Sequence, residues 1–582
     1  MVTLRSLLRY VRQYRLDSIL AAVFVSLEVL LEVLIPYTTG FIIDRGINAH
    51  SMSNIWKYGG LMVLLALFSL LFGTLSGKFA ASASTGFARN LRKAMYENIQ
   101  TFSFSNIDKF SPAGLITRMT TDVTNVQNAW QIIIRVAVRA PLMMITSLIM
   151  CITINRRISL LFLAALAVLA VFLFIVIHFT IPVFKQVFER YDDLNASVQE
   201  NVGGIRVVKA FVREDYENQK FRTATDNLYR LFVKAETFVA ANAPGMMLII
   251  FGMMIAISWF GARFIVAGTM TTGNLTQLFS YVMSVLISMM MLSMIFVMLT
   301  MSTASAERMS EVLNEKADIV NPENPVMEVP NGDIDFEGVD FSYPHGAKQR
   351  ALRHIDLHIH SGETIGIIGP TGCGKTTLVS LISRLYDVTT GSVKVGGYDV
   401  REYDLETLRN AVSVVLQKNE IFSGTILENL RWGNPDATLE ECREACRLAC
   451  ADEFIEQFPD GYDTRIEQGG TNVSGGQKQR ICIARALLKK PKVLVLDDST
   501  SAVDTATDAR IRTAFREFIP STTKIIISQR ISSIQDADRI LVLESGRVLG
   551  FDTHENLLEH SSIYQEIYET QTRGGGDFDQ PQ

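Results

Sequence analysis

The 582-residue sequence predicts a multidomain membrane protein, in which a six-helix, all-α transmembrane domain with long cytosolic helix extensions precedes an α/β P-loop domain. Long uncharged runs, all before about residue 302, predict the membrane part, and dense charge follows them. A strand, a glycine loop and a helix in "GETIGIIGPTGCGKTTLVSLISRLY" predict the second part. A chain of this length also exceeds one ordinary hydrophobic core.

Six apolar segments are long enough to cross a bilayer, whose core of about 30 Å needs roughly 20 helical residues. The predicted spans are 18–43, 59–80, 132–154, 158–180, 243–266 and 274–302. The fourth and sixth contain no Asp, Glu, Lys or Arg. The polar stretches 81–131 and 181–242 between spans have helical sequence, so we expect the membrane helices to continue into the cytosol as rods. The transmembrane domain is assigned to 1–317.

The charges that flank the spans predict the topology. An even number of spans places both termini on one side, and four N-terminal arginines make that side cytosolic under the positive-inside rule. They are Arg5, Arg9, Arg12 and Arg15. Arg156 and Arg157 disagree, because this topology puts them in a short external loop. We keep the multi-pass topology with both termini in the cytosol, since the nucleotide motifs described below require it.

The first span contains two carboxylates, Glu28 and Glu32. Residues four apart lie on the same helix face, and a membrane carboxylate usually faces a bundle interior or a water cavity. Two interpretations stay open. The pair contacts a cationic substrate in a cavity, or it pairs with an internal polar group or lies near the interface.

Composition limits what the rest of the chain does. The net charge of -5 offers no basic face, so no nucleic-acid partner is expected. Three of the six cysteines, Cys442, Cys446 and Cys450, are four residues apart and would line one helix face. Without a histidine or a paired CxxC motif, a reduced cytosolic helix face is favoured over a metal site.

Proline, asparagine and charge mark a linker at 318–332, and the P-loop domain is assigned to 333–572. Its loop matches GxxxxGK[ST] from Gly369. Backbone N–H groups of such a loop cradle phosphates, while Lys375 reaches the β and γ oxygens and Thr376 reaches Mg²⁺. The nucleotide-binding residues predicted in it are Thr371, Gly372, Cys373, Gly374, Lys375, Thr376 and Thr377. The glycine-rich tail, 573–582, is predicted to be disordered.

Two further motifs point to the same nucleotide. Asp497 closes "VLVLD", a run typical of a central parallel strand, and would hold the Mg²⁺ of ATP. Ser474, Gly475 and Gly476 would open a helix and offer N–H groups to an anion. ATP and Mg²⁺ are therefore the predicted cofactors, with Thr376 and Asp497 around the metal.

The "VSGGQ" motif, well after the P-loop and shortly before "VLVLDD", resembles the signature of ATP-binding-cassette (ABC) proteins. Nearly the whole chain resembles an ABC exporter half-transporter, most of all the degenerate-site subunit of bacterial heterodimeric multidrug exporters. The resemblance implies an ABC nucleotide-binding domain that dimerises head to tail with another. The signature residues Ser474, Gly475, Gly476 and Gln477 would then close over ATP held by the partner's P-loop.

The resemblance also assigns residues outside these motifs. It implies that Tyr343 stacks on adenine and that Gln417 touches Mg²⁺ and signals to the membrane domain. It implies that Glu467 contacts the intracellular loops and that Asp504 faces the partner cassette. Coupling helices are expected near 106–116 and 213–220.

Two residues depart from the family pattern at the catalytic positions. Asp498 stands where the family has a glutamate that polarises the attacking water, and it is shorter by ~1.5 Å. A displacement near 1 Å can cost roughly a hundredfold in rate. Gln529 stands where the family has a switch histidine, and glutamine cannot carry a positive charge. Both changes affect hydrolysis and spare binding, which implies a degenerate, slowly hydrolysing site.

The expected function is that of an ABC-type transporter ATPase, a translocase in the cytoplasmic (inner) membrane. It would export small amphipathic or hydrophobic compounds as one subunit of a multidrug-type heterodimer. The expected partner is a second half-transporter with the consensus glutamate and histidine, so that catalysis occurs mainly at the composite site. The alternatives are a homodimeric lipid or peptide exporter and a nucleotide-gated regulatory membrane protein.

Overall fold

The computed structural model describes residues 7–343 and 350–573, and most of the predicted disordered tail lies outside them. The chain divides into two compact units. The first comprises residues 1–99 and 113–314, and the second 100–112 and 315–582. The short segment 100–112 lies within the sequence-assigned transmembrane domain, yet its contacts are with the second unit.

Helices make up the first unit. In chain order, through the end of this unit, the α-helices are α1 Arg15–Phe41, α2 Met52–Gln100, α3 Phe104–Phe110, α4 Pro112–Thr117, α5 Val123–Ile154, α6 Arg156–Gly203, α7 Ile205–Ala210, α8 Glu214–Val266 and α9 Thr272–Asn314. Of these, α3 belongs to the second unit. Short segments of other helix types continue these helices. A 3₁₀ segment, Leu8–Tyr14, and a π-helical segment, Ile42–Ile47, extend α1 at its two ends, and a second π-helical segment, Arg118–Asp122, leads into α5.

Six helical segments of the described chain are long and apolar enough to cross a membrane, which confirms the predicted number of spans. They are Leu8–Ile47, Met52–Gln100, Pro112–Ile154, Arg156–Phe184, Glu214–Val266 and Thr272–Leu292. At 1.5 Å per residue, the 48 residues of α6 reach about 72 Å, well beyond a ~30 Å bilayer core. The long helical extensions were therefore predicted correctly.

Local sequence sets the ends of these helices. The Asn155 side chain accepts from the backbone N–H groups of Arg157 and Ile158, so it caps α6 and separates it from α5. Buried apolar side chains join the membrane helices, and the Tyr281 hydroxyl donates to the Val33 carbonyl at 2.9 Å. Such a bond satisfies a polar group that neither lipid nor an apolar core can satisfy.

The second unit is an α/β domain, and its described residues form twelve strands in three sheets. The strands are β1 Ile334–Phe341, β2 Leu352–Ile359, β3 Thr364–Ile368, β4 Thr390–Val395, β5 Tyr398–Asp399, β6 Val412–Val415, β7 Gly424–Thr425, β8 Arg465–Ile466, β9 Val493–Asp497, β10 Thr523–Ile527, β11 Arg539–Glu544 and β12 Arg547–Asp552. Its helices are α10 Lys375–Ile382, α11 Leu405–Ala411, α12 Ile426–Leu430, α13 Leu439–Leu448, α14 Asp452–Ile455, α15 Gly475–Leu487, α16 Thr505–Phe518, α17 His554–His560 and α18 Ser562–Arg573.

The largest sheet positions the site. Its order is β12-β11-β3-β10-β9-β6, with β12 antiparallel to an otherwise parallel sheet. Every residue of β9 and β10 is buried, as expected for central parallel strands covered on both faces. Ile527 pairs with Ile367 on one side and with Asp497 on the other. The carboxyl ends of β3, β10 and β9 therefore meet at one edge, where ligands bind in such sheets.

The smaller sheet, β2-β1-β4-β5, is antiparallel, and β7 pairs with β8. The predicted linker contains no helix, and its residue Val326 pairs with Tyr403. In α13, Cys442 and Cys446 lie on the buried face, as their spacing predicted. The prediction was wrong for Cys450, because α13 ends at Leu448 and Cys450 lies in the turn after it with a φ of 51°. All six cysteines are free and buried.

Candidate nucleotide-binding site

The loop between β3 and α10 has a backbone that only glycine adopts comfortably. Gly369 and Gly374 have φ values of 157° and 106°. A Cβ at Gly369 would lie 2.0 Å from the Leu543 carbonyl oxygen, and one at Gly374 would lie 2.9 Å from that of Ala351. Neighbouring backbone thus forces glycine at both positions, and the chain passes directly into the N-terminus of α10. This arrangement presents N–H groups suited to phosphate.

Lys375 lies against the same loop. Its ammonium donates to the Gly369 and Pro370 carbonyls at 2.7 and 2.9 Å, and it lies 3.8 Å from the Cys373 sulfur. The positive charge is therefore held beside the backbone that would bind phosphate, and its contact with the β and γ oxygens stays a prediction.

Asp497, at the end of β9, fits a metal-binding role. Its side chain is buried, and within the described chain its Oδ2 atom has no hydrogen-bond partner. Burial raises the pKa of Asp497, while a hydrogen bond with Thr376 opposes that rise. A buried, unpartnered carboxylate oxygen is costly, and hard cations such as Mg²⁺ prefer oxygen ligands. The Thr376 hydroxyl and Asp497 therefore fit the predicted Mg²⁺ site.

The two atypical residues contact each other. The Gln529 side-chain amide donates to Asp498 Oδ2 at 3.4 Å, and the Gln417 side chain also hydrogen-bonds Asp498. Burial raises the pKa of Asp498, and the bond from Gln417 lowers it. Gln417 was predicted to touch Mg²⁺, and here its side chain lies on the neighbouring carboxylate. The Asp498 backbone has a φ of 49° and donates to the Ile527 carbonyl at 3.0 Å, which turns the chain sharply after Asp497.

Tyr343, the predicted adenine-stacking residue, is 36% exposed and precedes the undescribed segment 344–349. Its hydroxyl hydrogen-bonds that of Thr377 at 2.9 Å, so the ring is fixed to α10. The Tyr343 ring meets the Tyr386 ring edge to face, with centroids 5.2 Å apart. Nothing in the local sequence pattern around Tyr386 marks it as a functional residue.

Tyr386 joins Tyr343 to α3. Its hydroxyl donates to Asp108 at 2.7 Å, and its ring lies 6.1 Å from that of Phe104. Burial raises the pKa of Tyr386, and the hydrogen bond to Asp108 adds to the rise. A chain of contacts thus runs from the nucleotide side of the domain to α3, which overlaps the predicted coupling helix at 106–116.

Polar contacts hold α3 on the second unit. The Asn106 and Lys109 side chains donate to Glu315 at 2.9 and 2.7 Å. Ser105 donates to Asp318 at 2.6 Å, and Ser103 bonds the other oxygen of the same carboxylate. Although burial alone would raise the pKa of Asp318, these serine hydroxyls hold it below its ordinary value.

In the second predicted coupling segment, 213–220, residues 214–220 form the first turns of the long helix α8, whose first turn carries Glu214, Asp215 and Glu217. The short helix just before this segment is α7. The coupling role of 213–220 stays a prediction.

The signature begins a helix, as predicted. Ser474 caps α15: its hydroxyl accepts from the Gln477 N–H at 3.3 Å, while the Gln477 side chain accepts from the Ser474 N–H at 2.9 Å. This reciprocal pair is a capping box. A Cβ at Gly476 would lie 2.7 Å from the Ala502 carbonyl oxygen, so glycine is required there too, while a Cβ at Gly475 would meet only ordinary contact.

Two side chains, Asp504 and Glu467, have hydrogen-bond partners within the second unit in addition to the contacts predicted for them. Asp504 caps α16 by accepting from the Thr507 N–H at 2.9 Å, and that bond lowers the pKa of Asp504. Glu467 accepts from the Thr471 hydroxyl at 2.7 Å. Their contacts with a partner cassette and with intracellular loops stay predictions.

In the first unit, Glu28 and Glu32 lie on one helix face and share Arg139 of α5. Each carboxylate is 2.5 Å from a different guanidinium nitrogen. Pairing with an internal group, one of the two open interpretations, is therefore present. The second Glu28 oxygen is buried with no hydrogen-bond partner among the described residues.

Comparison with known families matches both parts of the chain. The ABC transporter transmembrane region matches residues 18–311, and the ABC transporter family model matches residues 352–501.

Known proteins resemble the chain over almost its full length. An uncharacterized ABC transporter ATP-binding protein of Bacillus subtilis, YfiB, is 36% identical and covers 97% of this chain and 98% of its own. An uncharacterized ABC transporter ATP-binding protein of Mycobacterium tuberculosis is 37% identical, with 98% of each chain covered. Among solved structures, a bacterial Atm1-family ABC exporter with ATP bound has a TM-score of 0.82 at 22% identity, covering 96% of this chain and 99% of its own.

Proposed function

The chain belongs to the ABC transporter family, and we propose that it is one subunit of a heterodimeric exporter with a degenerate ATP site. The complex uses ATP to export small amphipathic or hydrophobic compounds across the cytoplasmic membrane, with both termini of this chain in the cytosol. One observation carries the proposal. The two residues that replace the family's glutamate and histidine, Asp498 and Gln529, bond to each other beside an otherwise complete nucleotide site.

Binding is supported by the residues that the substitutions leave alone. The P-loop glycines, Lys375 and the buried Asp497 have the positions that phosphate and Mg²⁺ need. In this site Mg²⁺ would neutralise phosphate charge, and Thr376 and Asp497 would orient its ligand shell. Tyr343, held by Thr377, presents a partly exposed ring for adenine.

Slow hydrolysis follows from the state of Asp498. Its carboxylate, which accepts from Gln417 and Gln529, is ~1.5 Å shorter in reach than the family's glutamate, so it is poorly placed to orient the attacking water. Gln529 adds no positive charge to stabilise the transferring phosphoryl group. Both effects act on the transition state more than on bound ATP, so binding without turnover is expected.

The signature supports the need for a partner. Ser474 and Gln477 complete the cap of α15, so the helix start that would meet the partner's ATP is built. A half-transporter with the consensus glutamate and histidine would supply the competent site. The exported class is suggested by apolar, flexible methionines exposed on the membrane helices, such as Met247, Met290 and Met294.

The test uses the full chain purified in lipid nanodiscs. Wild type alone is expected to bind ATP but hydrolyse it slowly, and the double variant Asp498→Glu with Gln529→His is expected to raise kcat at least about tenfold. Rapid turnover by wild type, or no gain in the double variant, would overturn the degenerate-site proposal. Solute flux driven by a non-hydrolysable ATP analogue would indicate a nucleotide-gated protein instead.

A further inference from the structure

We propose that Gln571, in the last turn of α18, is a positioning residue for the switch segment, defined as residues 528–531. It fixes the backbone on both sides of Arg530 and so sets the contact between Gln529 and Asp498. The kinetic half of this inference rests on the proposed function, which makes that contact part of the hydrolytic site.

The Gln571 carboxamide matches the switch segment as a donor–acceptor pair. Its Nε2 donates to the Gln529 carbonyl at 2.8 Å, and its Oε1 accepts from the Ile531 N–H at 2.9 Å. A carboxamide is one of the few side-chain groups that both donates and accepts in this way. Two bonds from one side chain fix the position of the loop and also its direction.

The helix that carries Gln571 is itself anchored. Tyr564 is fully buried, and its hydroxyl hydrogen-bonds His554 of α17 at 2.7 Å. Ile567 packs against the same core. Gln571 follows Tyr564 by seven residues, which is about two turns, so both lie on one helix face. The buried face of α18 therefore delivers Gln571 to the loop.

Gln571 bonds the backbone of the switch segment at both 529 and 531. The segment is also held by the Arg530 guanidinium, which donates to the Ser501 carbonyl at 3.3 Å, and by the buried Ile531 side chain. The backbone N–H of Ser528 donates to the Ile367 carbonyl at 3.3 Å, and the backbone N–H of Arg530 donates to the Ser528 hydroxyl at 3.0 Å. The Gln529 side chain reaches Asp498 at 3.4 Å, near the upper limit for a hydrogen bond. A backbone shift of about 0.5 Å would break that contact, so whatever holds the backbone controls it.

Two variants of Gln571 separate its donor and acceptor roles. Gln571→Glu keeps the shape and the acceptor for Ile531 but sets a carboxylate against the Gln529 carbonyl. Gln571→Leu removes both hydrogen bonds, because leucine has a side chain of similar size with no donor or acceptor. The matched controls are Thr570→Glu and Thr570→Leu, since exposed Thr570 lies one residue earlier, about 100° around the helix.

The first measurement is amide hydrogen exchange in the full-length protein with ATP. Gln571→Leu is expected to speed exchange in a peptide covering 528–533 about fivefold or more, with the Thr570 controls unchanged. Unchanged exchange would overturn the positioning role. Because this readout needs no hydrolysis, it holds even if the degenerate-site proposal fails.

The second measurement is kinetic, in wild type and in the Asp498→Glu, Gln529→His background. Gln571→Glu and Gln571→Leu are expected to lower kcat about threefold or more, with the KM for ATP and the melting temperature unchanged. Failure of the double variant to gain activity would contradict the proposed function alone. A fall in kcat accompanied by a higher KM for ATP and a lower melting temperature would mean that Gln571 only supports folding.

Discussion

Tyr386 should contribute to ATP affinity through its ring and not through its hydroxyl. Its ring supports Tyr343 from the side, at 5.2 Å between centroids, whereas its hydroxyl bonds Asp108 of the α3 segment. Edge-to-face aromatic pairs contribute about 0.5–1.5 kcal/mol beyond burial. Loss of the ring should therefore weaken ATP binding by about 2- to 10-fold, since 1.4 kcal/mol is tenfold in Kd.

The comparison is between Tyr386→Leu and Tyr386→Phe, with ATP affinity measured by calorimetry on the full chain in nanodiscs. Leucine should raise the Kd by that factor, and phenylalanine should leave it within about twofold. Tyr398, an exposed tyrosine edge-on to Tyr403 on the smaller sheet, provides the control pair Tyr398→Leu and Tyr398→Phe. Equal affinities for Tyr386→Leu and Tyr386→Phe would refute the reasoning, because the ring would then do nothing for the adenine side.

Three other outcomes follow from single contacts. Gly374→Ala should weaken ATP binding more than tenfold, measured by the same titration, because its φ of 106° and the Ala351 carbonyl at 2.9 Å reject a Cβ. Arg139→Gln should destabilise the first unit by about 1–3 kcal/mol in thermal unfolding, since it strands two carboxylates, and adding Glu28→Gln should restore part of the loss. The Asp318 anchor of α3 is present above the ordinary carboxyl pKa and is lost as pH falls through its lowered value. The protection of 103–110 from hydrogen exchange, corrected for the intrinsic exchange rate at each pH, should therefore stay constant from neutral pH down to the ordinary aspartate range and fall below it, and Asp318→Asn should remove that step.

Features carried by local sequence patterns were predictable. The six spans follow from apolar length, and the P-loop and the helix after Ser474 follow from short glycine and capping motifs that can be read in the local sequence. The buried strand before Asp497 was visible for the same reason, because an apolar run of that kind suits a central strand.

Contacts between remote segments were not predictable. Tyr386, Asp108 and Gln571 carry no motif, and their roles depend on which elements pack together. The same holds for Arg139: spacing placed Glu28 and Glu32 on one face but did not say which helix they meet. The contact of Asp498 with Gln529 had a partial signal, since both follow apolar strands. Only the strand order, with β10 beside β9, puts them at one edge.

The separation of ATP binding from hydrolysis has a structural basis in this domain. The P-loop is fixed by backbone that touches its glycines, and the signature helix is fixed by its own cap. Asp498 and Gln529 instead lie on turns after strand ends, joined by one long hydrogen bond. Exchanging them for glutamate and histidine changes no buried apolar contact, so the melting temperature of the double variant should match that of wild type even as kcat rises. If the double variant gained activity only with a large change in melting temperature, Asp498 and Gln529 would be coupled to the stability of the P-loop and the signature helix. Hydrolysis and ATP binding could then not vary independently.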